Sequence, residues 1–194
     1  MKAIIAGFIV AASGCATDEV APVDQSGAHA GPAYLEVQFT DTSDALAQWP
    51  GARPKLVVDI ARVEIEHADG WWVAISGDSR QLDLLAVEAG NAAVISTSLL
   101  PHGAYSAVRV VVDSATLLVP DQAPQSIAVS DSAVEVAMST ELADTESYAL
   151  VLDFDTTSSM VAINAPSLSP NPPTQPLSLG AMVPAISLYS MGKM

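Results

Sequence analysis

The chain has little positive charge: 7 Lys and Arg stand against 22 Asp and Glu in 194 residues, a formal net charge of −15. That shortage excludes a nucleic-acid partner, because there is no basic stripe to displace the counterions around phosphates. It also leaves nothing to attract anionic lipid headgroups, so the acidity is read as a contribution to solubility. Cysteine is nearly absent as well. A lone Cys15 excludes an internal disulfide, and with only His29, His67 and His102 beside it no clustered Cys/His set is available for zinc. Long apolar runs are missing too: the longest, residues 3–12, falls short of the roughly 20 residues that a membrane-spanning helix needs. The chain carries no Gly-x-Ser-x-Gly elbow, His-Glu-x-x-His, Cys-x-x-Cys or phosphate-cradling glycine loop. No cofactor and no enzymatic activity are expected.

What is present begins at the N-terminus. Lys2 precedes the apolar run and small residues follow it, so residues 1–14 are expected to be a signal peptide. Ala12-Ser13-Gly14-Cys15 resembles the bacterial lipobox, with Ala12 where Leu, Val or Ile is more usual. Cys15 is therefore expected to receive a diacylglyceryl thioether and to become the new N-terminus. Several acyl chains on one residue hold firmly where a single chain is marginal. Residues 15–32 are rich in Ala, Asp, Gly, Pro and Ser without periodicity and are expected to tether the lipid to a folded body at 33–190, with His29 solvated in the tether. The expected location is that of an exported lipoprotein of the cell envelope, held to its membrane by this lipid. Ala16, where an aspartate would favour inner-membrane retention, points to the outer membrane.

The body is written in a period of two. Leu35, Val37 and Phe39 alternate with polar residues, as do Val63 and Ile65 after a doubly apolar Leu56-Val57-Val58 that suggests a bulge near Asp59. Ala68-Asp69-Gly70 is a hairpin turn, from which residues 71–75 should return antiparallel. Pro101-His102-Gly103 feeds a strand with Val108, Val110 and Val112 on one face and Tyr105, Ala107 and Arg109 on the other. Further short strands are expected at 81–85, 92–97, 116–119, 126–129, 133–138, 148–154 and 160–163, and a closing strand at 181–189 with Pro184 at an edge or bulge. Five prolines between 166 and 180 make a loop before that last strand. The fold class expected is all-β, an antiparallel sandwich of immunoglobulin or transthyretin type.

Val37-x-Phe39-Thr40-Asp41, Ile60-x-x-Val63-Glu64-Ile65-x-His67, Gly70-Trp71-Trp72, Leu82-Asp83-Leu84-Leu85, Leu100-Pro101-x-Gly103-x-Tyr105-x-x-Val108-Arg109 and Leu152-Asp153-Phe154-Asp155 occur in one order. The set resembles the bacterial and archaeal lipoprotein domain of unknown function 4382, departing from it at Thr42-Ser43. The resemblance implies an exported, often lipid-anchored β-rich domain, and it brings no catalytic residues with it.

Candidate chemistry is sparse. Gly77-Asp78-Ser79 is similar to the nucleophile block of some esterases, but no histidine follows residue 102, and a hairpin turn explains the block. A serine hydrolase built on Ser79 with His67 or His102 is the minor alternative. Asp41, Asp44, Asp153 and Asp155 are weak calcium candidates, should the strand ends converge on one ion in an adhesion module; otherwise they end strands by accepting backbone N–H bonds. Adjacent Trp71 and Trp72 should point to opposite faces, one filling the core and the other covering an edge or stacking on a glycan or envelope protein. Tyr105 is expected to pin its turn through the hydroxyl, as in a tyrosine corner, and Arg109 to pair with a carboxylate. Trp71, Trp72, Tyr105 and Arg109 are thus the candidate ligand-binding set.

Overall fold

The computed structural model describes residues 31–42, 53–87, 92–161 and 180–194. The expectations for Cys15, the signal peptide, Asp44 and the proline-rich stretch lie outside these residues. In chain order the strands are β1 (Ala33–Thr40), β2 (Lys55–His67), β3 (Trp72–Ala74), β4 (Arg80–Asp83), β5 (Ala93–Leu100) and β6 (Gly103–Leu118). There follow β7 (Gln125–Val129), β8 (Ala133–Leu142), β9 (Ser147–Phe154), β10 (Met160–Val161), β11 (Ala181–Met182) and β12 (Ile186–Lys193). A one-turn helix α1 (Thr156–Ser159) and a 3-10 turn (Leu84–Ala86) are the helical pieces among the described residues, and neither is long enough to cross a membrane.

Two sheets enclose one core. The smaller has the order β12-β9-β1-β5, and the larger runs β10-β11-β7-β6-β2-β3 with β4 also on β2 and β8 also on β6. The sandwich class agrees with the sequence; strict antiparallelism does not. β1 pairs parallel with β9, and β11 parallel with β7. The reason is a crossing between sheets: β8 lies on β6, and the turn after it delivers β9 to the smaller sheet at the end where β1 starts, with Tyr34 N–H donating to Glu146 C=O at 2.9 Å.

Alternation explains most of the core. Leu35, Val37 and Phe39 from β1 meet Leu150, Leu152 and Phe154 from β9, all fully buried, with the Phe39 and Phe154 rings 6.2 Å apart. In β2 the buried set changes phase, from Leu56, Val58 and Ile60 to Val63 and Ile65. The partner β6 changes phase with it, from Val108, Val110 and Val112 to Ala115 and Leu117. Register shifts at Asp59/Ile60 and Ile60/Arg62 insert the extra residues that keep both strands apolar-side-in, close to the bulge expected from the sequence.

Three strand expectations change. β6 runs unbroken through the residues between the two expected strands, because β2 pairs with it along its whole length. β8 continues to Leu142, four residues past the end of the strand expected at 133–138. The closing strand is two strands, β11 and β12, in different sheets; Pro184 lies between them, where its missing N–H breaks no ladder. Phe154→Ala should cost about 3–5 kcal/mol, read as a lower denaturant midpoint at unchanged slope, whereas Tyr189→Ala, at 58% exposure, should shift stability by no more than about 0.5 kcal/mol.

Candidate functional site

A three-residue turn builds the site. His67 ends β2, Ala68-Asp69-Gly70 turns, and Trp71 returns beside it: His67 N–H donates to Trp71 C=O at 2.9 Å and Gly70 N–H to His67 C=O at 2.8 Å. Gly70 has φ +86°, a conformation that a side chain would strain. The result is a parallel stack, the imidazole and indole centroids 4.5 Å apart at 15°. His67 is backed edge-on by the Tyr105 ring at 5.2 Å and by Gly103, where a Cβ would stand 2.6 Å from Nε2 at φ +138°. Asp69 lies over the imidazole edge, its N–H and its Oδ2 each 3.2 Å from Nδ1. Trp71 is 39% exposed on this rigid backing.

Trp72 belongs to the outer face of the larger sheet. It pairs with Glu66 on β2, while the neighbouring row runs Ala74-Glu64-Arg109-Glu135 across four strands. Trp72 and Arg109 are two strands apart and one row offset, and the long Arg109 side chain reaches across β2 to set its guanidinium carbon 3.9 Å from the indole centroid. Arg109 donates to Glu135 Oε1 at 2.6 and 3.0 Å and to Glu64 Oε2 at 3.4 Å. The Glu135 hydrogen bond and charge, with Glu64 behind them, hold the guanidinium proton more firmly than usual. Arg109 thus does pair with carboxylates, two of them, and its donors point at the protein.

Two expectations about this set are corrected. Neither tryptophan fills the core: Trp72 lies half-buried on the outer face with Arg109, while Trp71 lies on the opposite side, stacked on His67 at the end of the sandwich, where it stays 39% exposed. Tyr105 does not share a face with Arg109. The ladder skips Ser106, pairing Glu66 with Ala107 and His67 with Tyr105, so the ring turns inward and is 1% exposed. Burial raises its phenol pKa above the ordinary value, and its hydroxyl donates to Pro101 C=O at 2.8 Å, pinning the turn. Tyr105 therefore leaves the ligand-facing set. His67 enters it; the Ala68-Asp69-Gly70 turn was the available clue, since so short a turn must bring residues 67 and 71 together.

The other candidates do not converge. Arg80, beside Ser79, pairs with Ile60, and His67 lies seven residues further along β2, on the order of 20 Å at roughly 3.3 Å per residue. His102 pairs with Asp144 at 3.1 Å next to Gly103, beyond His67, so Ser79 has neither imidazole as a base. At the opposite end each aspartate is taken up locally. Asp41 accepts from the Thr156 hydroxyl, and Asp153 from Thr42 N–H and Oγ1–H at 2.9 and 2.6 Å. Asp155 caps α1, accepting from Ser158 N–H and Oγ–H at 2.8 and 2.5 Å. Among the described residues no group of three or more His, Cys, Asp or Glu is placed to hold a metal; Asp44, the fourth calcium candidate, is not described.

Residues 33–170 match the family described as Domain of unknown function (DUF4382). The chain belongs to this family. No curated protein and no solved structure matches it. In this DUF4382 domain every motif that carried the resemblance is in place: Leu100-Pro101-x-Gly103-x-Tyr105 makes the pinned turn, Gly70-Trp71-Trp72 the aromatic return, and Leu152-Asp153-Phe154-Asp155 the end of β9 with its capping carboxylates.

Gly103→Ala should cost about 2 kcal/mol through backbone strain and displacement of His67, seen as a lower Tm together with a changed near-ultraviolet signal from Trp71. The Ser158 bonds lower the Asp155 pKa below its usual 3.8, so its stabilisation is complete above the unfolded-state value and is lost as pH falls through the lower folded value. The stability gap between wild type and Asp155→Ala should be about 1 kcal/mol at neutral pH and shrink in acid below about pH 4, measured by denaturant titration across pH.

Proposed function

We propose that this is a lipid-anchored module of the cell envelope that acts by binding, without catalysis, and that it engages an envelope glycan through Trp71. The observation that carries the reading is the exposed indole stacked on His67. An aromatic plane held rigid by a second ring loses little freedom on binding and matches the apolar face of a sugar ring. The half-exposed polar groups around it, above all the Asp69 carboxylate at 78% exposure, supply acceptors for sugar hydroxyls.

Placement supports the same reading. The chain enters the body at Ala33, which faces Leu100 in the ladder, one residue before the Pro101-His102-Gly103 turn that backs His67. A tether from a lipidated Cys15 therefore arrives at the end of the sandwich that presents Trp71. The platform lies within tether reach of the surface that holds the lipid, where envelope glycans are found.

The test separates anchor from ligand. Mass spectrometry of the N-terminal peptide should find a diacylglyceryl group on Cys15, and Cys15→Ser should move the protein to the soluble fraction. In titrations of envelope glycans followed by tryptophan fluorescence, Trp71→Ala should weaken binding at least about tenfold, near 1.4 kcal/mol, while Tyr189→Ala leaves it unchanged. Equal affinity in wild type and Trp71→Ala would remove the glycan reading and leave the anchor untouched.

A further inference from the structure

We propose that the free edge of β5 pairs antiparallel with β5 of a second copy of this chain, joining the two four-stranded sheets into one of eight. β5 is the last strand of the smaller sheet among the described residues, so alternate N–H and C=O groups along it face outward unpaired by the ladder. Exposed edges are ordinarily guarded by charge, proline, bulges or brevity. The other free edges here follow that rule: β8 carries Glu135 and Glu141, β4 carries Arg80 and Asp83, β12 carries Lys193 and a register shift beside Leu188, and β3 and β10 are three and two residues long. β5 reads Ala-Val-Ile-Ser-Thr-Ser-Leu-Leu, with no charge and no proline over eight residues. Its register shift, opposite Val37/Gln38, lies toward one end and leaves residues 96–100 in regular register.

Charge selects the occupant. A body with a net charge of −15 meets a second copy at lowest electrostatic cost along a strand without ionised groups. The strand is also self-complementary about a two-fold axis at Thr97. That axis sets Thr97 against Thr97, a favourable cross-strand pair, and Leu99, 65% exposed, against the bulge residues Val94 and Ile95, of which Val94 is 54% exposed. The acid in register with Thr97 is Glu36. Its two copies would lie about 14 Å apart, three strand spacings, which is beyond the screening length at physiological salt. The guarded far edge at β12 stops growth at two copies.

The experiment is sedimentation of the purified full chain in detergent over a wide range of concentration, for wild type, Thr97→Lys and Thr97→Cys. Wild type should form a dimer and no larger species. Thr97→Lys should lose the dimer while keeping its circular dichroism and Tm, since residue 97 is exposed and Glu36 beside it accepts the ammonium. Thr97→Cys should give a disulfide-linked homodimer on mild oxidation, because facing residues in an antiparallel pair lie within disulfide reach. A wild type that stays monomeric at every concentration, a Thr97→Lys variant that still dimerises, or a Thr97→Cys variant that forms no disulfide-linked homodimer would each overturn the proposal.

Discussion

The pairing of β2 with β6 is the constraint on which the rest of the molecule depends. Both strands are long, both change phase at the same height, and neither could bury its apolar residues alone. In β2, Leu56, Val58 and Ile60 face the core on one side of the bulge and Val63 and Ile65 on the other, and β6 answers with Leu117, Ala115, Val112, Val110 and Val108. A one-residue slip in either strand would turn a whole apolar set outward. The rest of the larger sheet hangs from these two: β3 and β4 on β2, β7 and β8 on β6, with β11 and then β10 continuing from β7. The site inherits its geometry from them, because the same register that buries Val110 sets Glu64, Arg109 and Glu135 in one outer row.

Much of this was legible in the sequence. Period-two alternation in β1, β2 and β9 located the core, and Gly and Asp located the turns. The misplaced residues are those decided by pairing at a distance. Tyr105 lies three positions before Val108, and local alternation puts it with Arg109; the skipped Ser106, settled by a partner strand forty residues earlier, puts it in the core. Trp71 and Trp72 look like one residue in and one out, because adjacent residues on a strand diverge. The two side chains do diverge, but Trp71 precedes β3 at the mouth of the turn, so its side of the sheet ends on His67 and leaves the indole exposed. The strands that run parallel were equally hidden, since nothing in β9 alone records that its predecessor crosses to it from the other sheet.

The excess of acid is distributed with a consistent logic. At the end of the sandwich where β9 leaves, Asp41, Asp153 and Asp155 accept from Thr156, Thr42 and Ser158, so each carboxylate fastens a loop to the sheet. On the outer face of the larger sheet the scarcity of cations makes Arg109 a shared partner, balancing Glu64 and Glu135 and covering Trp72. Taken together, these contacts leave Trp71 as the exposed aromatic in this part of the structure that meets a ring on one side only.

The proposed anchor, platform and self-pairing strand are compatible in one arrangement. A two-fold axis relating two antiparallel edge strands stands perpendicular to their common sheet, so the two points at which the chain enters at Ala33 lie at diagonally opposite ends. Ala33 faces Leu100, three residues from the axis at Thr97, so those points lie roughly 20 Å apart along the strand direction. Eighteen residues from Cys15 to the body reach at most about 60 Å, so both lipids can insert in one membrane when the strands lie along its surface. Each Trp71 then faces outward from its own end of the pair. The dimer would present two glycan platforms pointing in opposite directions close to the membrane, a geometry suited to bridging neighbouring chains of a surface polymer rather than to gripping one chain at a single point.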